Sequence, residues 1–169
     1  MVNADHLVIR PATVTDAEAI RAIYNREVES STVTFDIVPR TLEEQRRWIT
    51  ERSGAHAAIV ATRDDVVVGF GSLSPYKDRA AYATTVEDSV YVDRDAQSAG
   101  IGRALLTELV DRARSHGFHA VIARIVGGHE ASIGLHAALG FEIVGHEREV
   151  GRKFGRWLDV VVMERLLTG

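Results

Sequence analysis

The sequence predicts a single mixed α/β domain over residues 1–169, with a mostly antiparallel central sheet of about six or seven strands and about four helices. The length suits one domain with one sizeable core. Strand-like and helix-like segments alternate along the chain. Antiparallel strand pairs are expected near both ends, around a strand–helix–strand–helix centre, and this order indicates a mixed sheet with helices packed on it.

The N-terminal part is expected to contain one strand and two helices. LVIRPA (7–12) is strand-like, and Thr15-Asp16-Ala17-Glu18 has the capping-box spacing that begins a helix. A second box, Thr41-Leu42-Glu43-Glu44, precedes Trp48 and predicts the second helix. Between the two helices lies the long polar segment SSTVTFDIVPR, which contains Phe35.

The middle of the chain predicts a hairpin, a further strand and a long helix. HAAIVATR (56–63) and VVVGFGSLSPY (66–76) are two strands joined at Asp64-Asp65, and TTVEDSVYV (84–92) is the next strand. The helix after it ends at His116-Gly117, where the glycine fits a C-terminal stop. Its core-facing positions recur at helical spacing and are Ile101, Leu105, Leu109 and Ala113.

The C-terminal part predicts three strands and a short helix. FHAVIARIV (118–126) is rich in branched residues, as strands are. HEASIGLHAALG (129–140) is expected to form a helix that ends at Gly140. FEIVGHEREVG and RWLDVVVMERLL then close the chain as two strands.

Composition excludes several classes of protein and site. The formal net charge is −4 and the basic residues are scattered, which argues against a nucleic-acid partner. The absence of cysteine excludes disulfides, cysteine metal sites and a thiol nucleophile. The N-terminus lacks the pattern of a signal peptide, and no apolar run reaches the roughly 18 residues that cross a bilayer. We therefore expect a cytoplasmic protein with no membrane partner and no metal.

The stretch RDAQSAGIGRALL places two glycines where a strand passes into a helix. The first turn of a helix presents unpaired N–H groups and the positive end of the helix dipole, and phosphates bind there when no side chain blocks them. Gly100 and Gly102 clear such an approach, and Arg103 adds a cation. The stretch is neither a Walker A loop nor G-x-G-x-x-G. From the loop alone, phosphate binding and a tight turn remain equally open.

Three residues outside the loop are candidates for acid–base chemistry: the adjacent pair Glu87 and Asp88, and His136. Glu87 and Asp88 are adjacent in a strand, so they point to opposite faces, and one can reach a cleft while the other is directed elsewhere. Acids are unfavourable inside strands, although a solvated strand end explains them equally well. His136 lies among apolar residues of the short helix. A core histidine with a satisfied hydrogen bond is the common alternative to a catalytic one.

SVYV-x5-QSAGIGRALL, followed by HEASIGLHAALGFE, resembles the GNAT superfamily of acyl-CoA-dependent N-acyltransferases. TVEDSVYV, ASIGLHAALGFEIVGH and VGRKFGRWLDVVVME are similar to its phosphinothricin and methionine sulfoximine N-acetyltransferase branch. The resemblance covers nearly the whole chain and implies a GNAT fold with a splayed central pair of strands. It implies acetyl-CoA as co-substrate, held by Val90, Tyr91, Val92, Gln97, Ser98, Ala99, Gly100, Ile101, Gly102 and Arg103, with His129 and Ser132 at the short helix.

The resemblance also implies roles in catalysis. Glu87 is expected to accept the amine proton, directly or through a water. His136 stands where the superfamily usually has tyrosine, and it protonates the leaving thiolate or relays the amine proton. A backbone N–H near Val92 is the implied oxyanion donor. Many relatives have asparagine where this chain has His129, so that contact to the cofactor arm is in doubt.

The acceptor implied by the branch is a small amino-acid-like amine such as phosphinothricin or methionine sulfoximine. Phe35 is expected to wall the pocket with Tyr76 and Lys77, and Arg79 to hold the acceptor's α-carboxylate through two parallel hydrogen bonds. A solvated loop arginine is the equally open alternative for Arg79.

The apolar end strands suit a homodimer interface. Trp157 is expected to fill the core or an interface, and Asp159 to pair with a nearby donor.

Other functions compatible with the sequence are acetylation of peptides or aminoglycosides and a non-catalytic acyl-CoA-binding module. An aminoglycoside site favours an acidic pocket without Arg79, and a peptide site needs an open groove. The presence of both Glu87 and His136 disfavours a module that only binds. A structural protein leaves the joint occurrence of loop, acid, histidine and C-terminal motif unexplained.

Overall fold

A computed structural model describes residues 6–97 and 100–168 and confirms the mixed α/β class. Seven strands form one sheet in the order β1-β2-β3-β4-β5-β7-β6. Every neighbouring pair is antiparallel except β4 with β5. In the described residues, no helix is long and apolar enough to span a membrane.

The N-terminal part contains β1 (Leu7–Pro11), a 3-10 turn (Val14–Asp16), α1 (Ala17–Ser30) and α2 (Leu42–Thr50). The capping box before α1 lies two residues earlier than predicted: Thr13, and not Thr15, donates its backbone N–H to Asp16 at 2.8 Å. Asp16 is buried and also binds Arg10, which selects this register. The box at Thr41 is confirmed by a reciprocal pair of bonds with Glu44.

The middle strands are β2 (Ala58–Arg63), β3 (Val66–Pro75) and β4 (Thr85–Val92). The predicted hairpin is confirmed, and both residues of its turn, Asp64 and Asp65, have positive φ. Aspartate tolerates this conformation better than most residues. Three further 3-10 turns lie between the larger elements, at Gly54–His56, Ala80–Tyr82 and Arg94–Ala96.

The C-terminal part contains α3 (Ile101–Ser115), β5 (Ala120–Val126), α4 (Glu130–Ala138), β6 (Glu142–Lys153) and β7 (Arg156–Leu166). Gly117 has φ +80° and follows α3, as the predicted glycine stop requires. The four core positions predicted for α3 are all buried. They pack on one face of the sheet, while α1 and α2 cover the other face.

The β4–β5 pair separates soon after it begins. Its parallel register runs only from Thr85–Ala120 to Glu87–Ile122, although β4 continues to Val92 and stays paired with β3 to its end. Beyond Glu87, the edge of β4 that faces β5 therefore has no strand partner in the part of the chain that the structure describes. This splay opens the sheet at its centre.

Candidate active site

A cavity of about 400 Å³ lies at the splay. It extends between the two strands, so it receives side chains from both faces of the sheet. Its lining comes from α1 and the segment after it, from β4 and β5, and from α4. The lining residues are Glu27, Val33, Thr34, Phe35, Glu87, Asp88, Ser89, Val90, Tyr91, Val92, Arg94, Gln97, Ala123, Arg124, Ile125, Val126, His129, Ser132, His136 and Val160.

Glu87 and Asp88 both line this cavity, from opposite faces of the sheet. Tyr91, which shares a face with Glu87, packs in the cluster beneath α1 and α2. Val86, which shares a face with Asp88, packs in the cluster beneath α3. The sequence predicted the two opposite directions. The expectation that only one acid reaches a cleft is wrong, because the splay exposes both faces to the same space.

Glu87 is half-buried, and the pKa of its carboxyl is raised. Burial is the main cause, the positive charge of Arg124 opposes it, and the negative charge of Asp88 adds to it. Ile122, the register partner of Glu87, and Arg124 two residues later lie on the same face of β5. The α1 side of the cavity therefore holds a carboxyl whose raised pKa makes it a stronger base than an ordinary exposed glutamate.

His136 is buried and bonded at both ring nitrogens. Nδ1 lies 2.7 Å from the carbonyl oxygen of Ser132, and Nε2 lies 2.9 Å from Oδ2 of Asp88. Burial favours the neutral ring, but the bond to Asp88 and the charge of its carboxylate outweigh burial and raise the pKa of His136. The two interpretations of His136 from the sequence, a core histidine and a catalytic histidine, are thus compatible. The residue is buried and hydrogen-bonded, and it also lines the cavity.

The glycine stretch begins α3. Gly100 is the N-cap residue with φ +75°, a left-handed conformation that favours glycine, and nothing lies within 4 Å of an added Cβ there. A Cβ on Gly102 would lie 3.3 Å from Cδ2 of Leu135. Gln97 and Arg103 are exposed beside this helix start, and Ile101 is buried beneath it. Ser98 and Ala99, predicted to share in cofactor binding, lie outside the described residues.

The other predicted cofactor residues reach the cavity in different ways. Val90, Tyr91 and Val92 form the unpaired edge of β4, and their main chain faces the splay. The Tyr91 ring itself stacks on Phe70 with centroids 5.2 Å apart, so its side chain belongs to the core beneath α1. His129 is the N-cap residue of α4, and burial lowers its pKa; Ser132 follows one turn later. Both line the cavity.

Of the four residues predicted to bind the acceptor, the structure brings only Phe35 to the cavity. Tyr76 packs edge-on against Tyr82, and the Lys77 ammonium lies over both rings. Arg79 is the exposed N-cap residue of the turn that follows. Tyr76 and Lys77 thus cluster with Tyr82 beyond the end of β3, and neither they nor Arg79 line the cavity.

Lys153 holds the segment that carries Phe35. Its side chain is buried, and Nζ donates to the carbonyl oxygen of Thr34 at 2.9 Å. Two residues before it, Gly151 lies so close to Phe35 that an added Cβ would overlap the ring. Sequence reasoning identified the motif GRKFGRW but not this contact. No local pattern signals this contact, because Lys153 is the single buried residue of a strand whose other positions are exposed or half-buried.

A second contact missed from the sequence joins α1 to the turn after β4. Glu27 is buried and accepts two hydrogen bonds from Arg94, at 2.8 and 3.0 Å. Such a two-pronged pair is geometrically specific. Because Arg94 lies just before the glycine stretch, the pair fixes α1 relative to the start of α3. Both side chains line the cavity.

The two residues of the C-terminal motif that were assigned structural roles lie on β7. Asp159 pairs with donors as predicted: the backbone N–H of Glu149 at 2.8 Å and Nε2 of His146 at 3.0 Å. Trp157 is 60 % exposed, so it does not fill the core. The Arg152 guanidinium lies over its ring.

Gly151→Ala is expected to raise the KM for the acceptor about fivefold, a loss near 1 kcal/mol, and to leave kcat within about twofold. The new methyl group must push the exposed Phe35 ring away from the cavity wall, while the strand itself is little strained. Steady-state kinetics with the acceptor varied measure this. Gly145→Ala on the same strand is the control, because its Cβ meets Val162 at an ordinary 3.7 Å. Equal KM values in both variants contradict a role of Phe35 in the acceptor pocket.

Comparisons with known proteins agree with this geometry. Residues 9–162 match the family model described as an acetyltransferase (GNAT) domain. Over 158 residues the chain is 40% identical to an L-methionine sulfoximine/L-methionine sulfone acetyltransferase of Pseudomonas paraeruginosa, covering 92% of each chain. A phosphinothricin acetyltransferase from Sinorhizobium meliloti, solved in complex with AcCoA, superposes with TM-score 0.91 at 38% identity, over 95% of this chain and 88% of that one. A ribosomal-protein-alanine N-acetyltransferase from Brucella melitensis superposes with TM-score 0.92 at 40% identity, over 94% and 99%.

Proposed function

The chain belongs to the acetyltransferase (GNAT) family of acetyl-CoA-dependent N-acetyltransferases, and from this premise we propose that it acetylates the α-amine of small amino-acid-like acceptors such as methionine sulfoximine and phosphinothricin. Transfer is direct, within a complex of enzyme, acetyl-CoA and acceptor, and involves no metal ion. The observation that carries the proposal is the splay between β4 and β5, which places a half-buried carboxyl with a raised pKa beside an unpaired strand edge.

The described residues fit acetyl-CoA. The helix start at Gly100 and Gly102 offers main-chain amides at two positions that carry no side chain of their own, which suits a diphosphate. The free edge of β4 from Asp88 to Val92 offers backbone groups to the amides of a pantetheine arm, as an added strand would. When bound there, acetyl-CoA supplies the activated acetyl thioester.

Glu87 takes the proton that the acceptor's ammonium must lose before its nitrogen attacks. A backbone N–H near Val92 stabilises the charge that develops on the carbonyl oxygen. His136 lies on α4, at the other side of the splay, and protonates the departing thiolate sulfur. Glu87, which accepts the amine proton, and His136, which protonates the sulfur, thus lie on opposite faces of one sheet.

Phe35 walls the acceptor pocket, and Arg79 remains our proposed partner of the acceptor's carboxylate. Arg79 is exposed outside the cavity lining, whereas Arg124 lies inside it and already pairs with Glu147. An acceptor held by Arg79 therefore extends from the splay toward the end of β3. Tyr76 and Lys77 frame that path.

The competing acceptor is a peptide N-terminus, which the name of the Brucella melitensis structure suggests. Thr34, which accepts a hydrogen bond from Lys153, and Phe35 wall the α1 side of the cavity. A wall on this side leaves less room for a peptide than for a small acceptor.

A thiol-release assay with acetyl-CoA tests the proposal. The panel contains methionine sulfoximine, methionine sulfone, phosphinothricin, an aminoglycoside and a short peptide, and mass spectrometry identifies the acetylated product. We expect release with the first three compounds and none with the last two. Release with the peptide alone overturns the acceptor class. No release with any amine, together with heat on binding coenzyme A, indicates a module that only binds.

We further propose a homodimer formed through the β6–β7 hairpin. β6 is an edge strand of the sheet, and the hairpin exposes Ile143, Val144, Val150, Phe154 and Trp157. An exposed edge with apolar side chains is a surface that natural proteins cover. Sedimentation of the purified protein should give about twice the monomer mass. The cytoplasmic location expected from the sequence stays a prediction.

A further inference from the structure

Asp88 has no role in the function described so far, yet it is among the most buried polar side chains of the chain. Its residue exposure is 6%, and that of its side chain is 2%. It points to the α3 and α4 side of the sheet, away from Glu87. The sequence predicted that one of the two adjacent acids reaches a cleft while the other is directed elsewhere, whereas Asp88 lines the cavity together with Glu87.

The bonds of His136 determine how many protons the pair with Asp88 holds. The carbonyl oxygen of Ser132 only accepts hydrogen bonds, so Nδ1 of His136 carries a proton. The 2.9 Å contact between Nε2 and Oδ2 needs one more proton, on the ring or on the carboxyl. In either arrangement the pair holds the same number of protons. Without that second proton, a carboxylate faces a ring lone pair in a buried site, which is unfavourable.

The surroundings of His136 hold the pair in place. Phe141 meets the ring edge-on with centroids 4.9 Å apart. Oδ1 of Asp88 is buried and has no hydrogen-bond partner among the described residues. A buried carboxylate oxygen left free is costly, and its residue lines the cavity. Oδ1 therefore keeps the capacity to accept one further hydrogen bond.

Few other charges act on His136. Glu87 on β4 and Arg124 on β5 both point to the face of the sheet opposite to His136. On α4 itself, a positive charge on His136 acts on His129, and burial is the main cause that lowers the pKa of His129. Glu27 from α1 acts on His129 and is itself bound to Arg94. The β7 residue at the cavity, Val160, is uncharged. Asp88 is therefore the one carboxylate in direct contact with the ring in the described part of the chain.

We propose that Asp88 is a positioning residue that keeps His136 protonated, so that the histidine can protonate the departing thiolate of coenzyme A. This inference rests on the proposed function. As the carbon–sulfur bond breaks, its electron pair stays on sulfur. The pair then gives the proton shared between Nε2 of His136 and Oδ2 of Asp88 to that sulfur, directly or through one water, which leaves an Asp88 carboxylate beside a neutral His136 ring. The acceptor's ammonium loses two protons in the reaction. One balances the proton given to sulfur, and the other goes to solvent.

The first test is the titration of His136 by NMR in protein with isotope-labelled histidine, assigned with His136→Gln. It needs neither substrate nor turnover. We expect the wild-type ring to stay protonated above the ordinary histidine range. In Asp88→Asn, whose amide oxygen can still accept the Nε2 hydrogen, we expect titration at lower pH. A wild-type ring that titrates at or below the ordinary range overturns the proposal without any variant.

The second test is the pH profile of kcat from thiol release. Loss of the proton from His136 should lower kcat on the alkaline side, and Asp88→Asn should move this decline to lower pH by the shift seen in NMR. We expect kcat to fall about tenfold on that side, with the KM for the acceptor unchanged. Asp159→Asn is the matched control, because Asp159 makes the same type of contact with the exposed His146.

The outcomes separate this inference from the function it rests on. An active wild type whose pH profile is the same in Asp88→Asn overturns the role of Asp88 alone. A shift in the NMR titration with no shift in the kinetic profile does so too, since it leaves only a structural contact. No thiol release by the wild type overturns the proposed function and this inference together.

Discussion

Replacement of Glu87 by glutamine is expected to lower kcat about 10²- to 10⁴-fold, the range typical of a lost general base. The amide keeps the size of the side chain but cannot take the proton of the ammonium. The KM for either substrate should change little, because the pocket keeps its shape. Thiol release at saturating substrates, followed across pH, measures the loss.

The pH dependence has a definite sign. Burial raises the pKa of Glu87 above its usual range, so the carboxyl becomes protonated, and unable to act as a base, at a higher pH than an ordinary glutamate. Wild-type activity should fall as the pH falls through this raised pKa, and the glutamine variant should lack that limb. A carboxyl with a raised pKa opposes folding at neutral pH. The variant should therefore melt at the same temperature as the wild type or above it.

Glu29→Gln is the control, since Glu29 is an exposed glutamate of α1 that does not line the cavity. Its turnover and pH profile should match the wild type. Unchanged turnover in Glu87→Gln across pH contradicts the assignment of the base.

Gly102→Val is expected to weaken binding of coenzyme A about 10- to 100-fold. A side chain there meets Leu135 at 3.3 Å from its first carbon and covers amides of the first turn of α3. Hydrogen bonds to charged groups contribute about 1.5–3 kcal/mol each, so losing one accounts for the change. Calorimetric titration with coenzyme A measures it.

A matched control separates this effect from the lower helix propensity of valine. Gly134 is also helical, and nothing lies within 4 Å of a Cβ added to it. Gly134→Val should keep the affinity of the wild type for coenzyme A. Equal affinities in the two variants place the diphosphate away from the start of α3.

The sequence correctly predicts those structural features that depend on a short local pattern of residues. The box at Thr41, the hairpin at Asp64-Asp65 and the glycine stop after α3 each depend on a few neighbouring residues, and all three are confirmed. The start of α1 was misplaced because Thr13 with Asp16 and Thr15 with Glu18 both have capping-box spacing. Arg10, on the preceding strand, binds Asp16 and selects the first of these.

The candidate site depends on contacts between distant parts of the chain. Alternation along a strand predicts that Glu87 and Asp88 point apart, but only the separation of β5 from β4 brings both to one cavity. His136 is 48 positions from Asp88, and Lys153 is 119 positions from Thr34. No local pattern encodes such pairs, so resemblance to a family suggested His136 while Asp88 and Lys153 went unassigned.

The most direct test of the central claim is a crystal structure of the protein with coenzyme A and methionine sulfone bound together. We expect the diphosphate against the amides at the start of α3 and the pantetheine arm along the free edge of β4. The sulfur should lie on the side of Asp88 and His136, and the acceptor's amine on the side of Glu87. Coenzyme A bound elsewhere, or an amine on the same side as His136, contradicts the account.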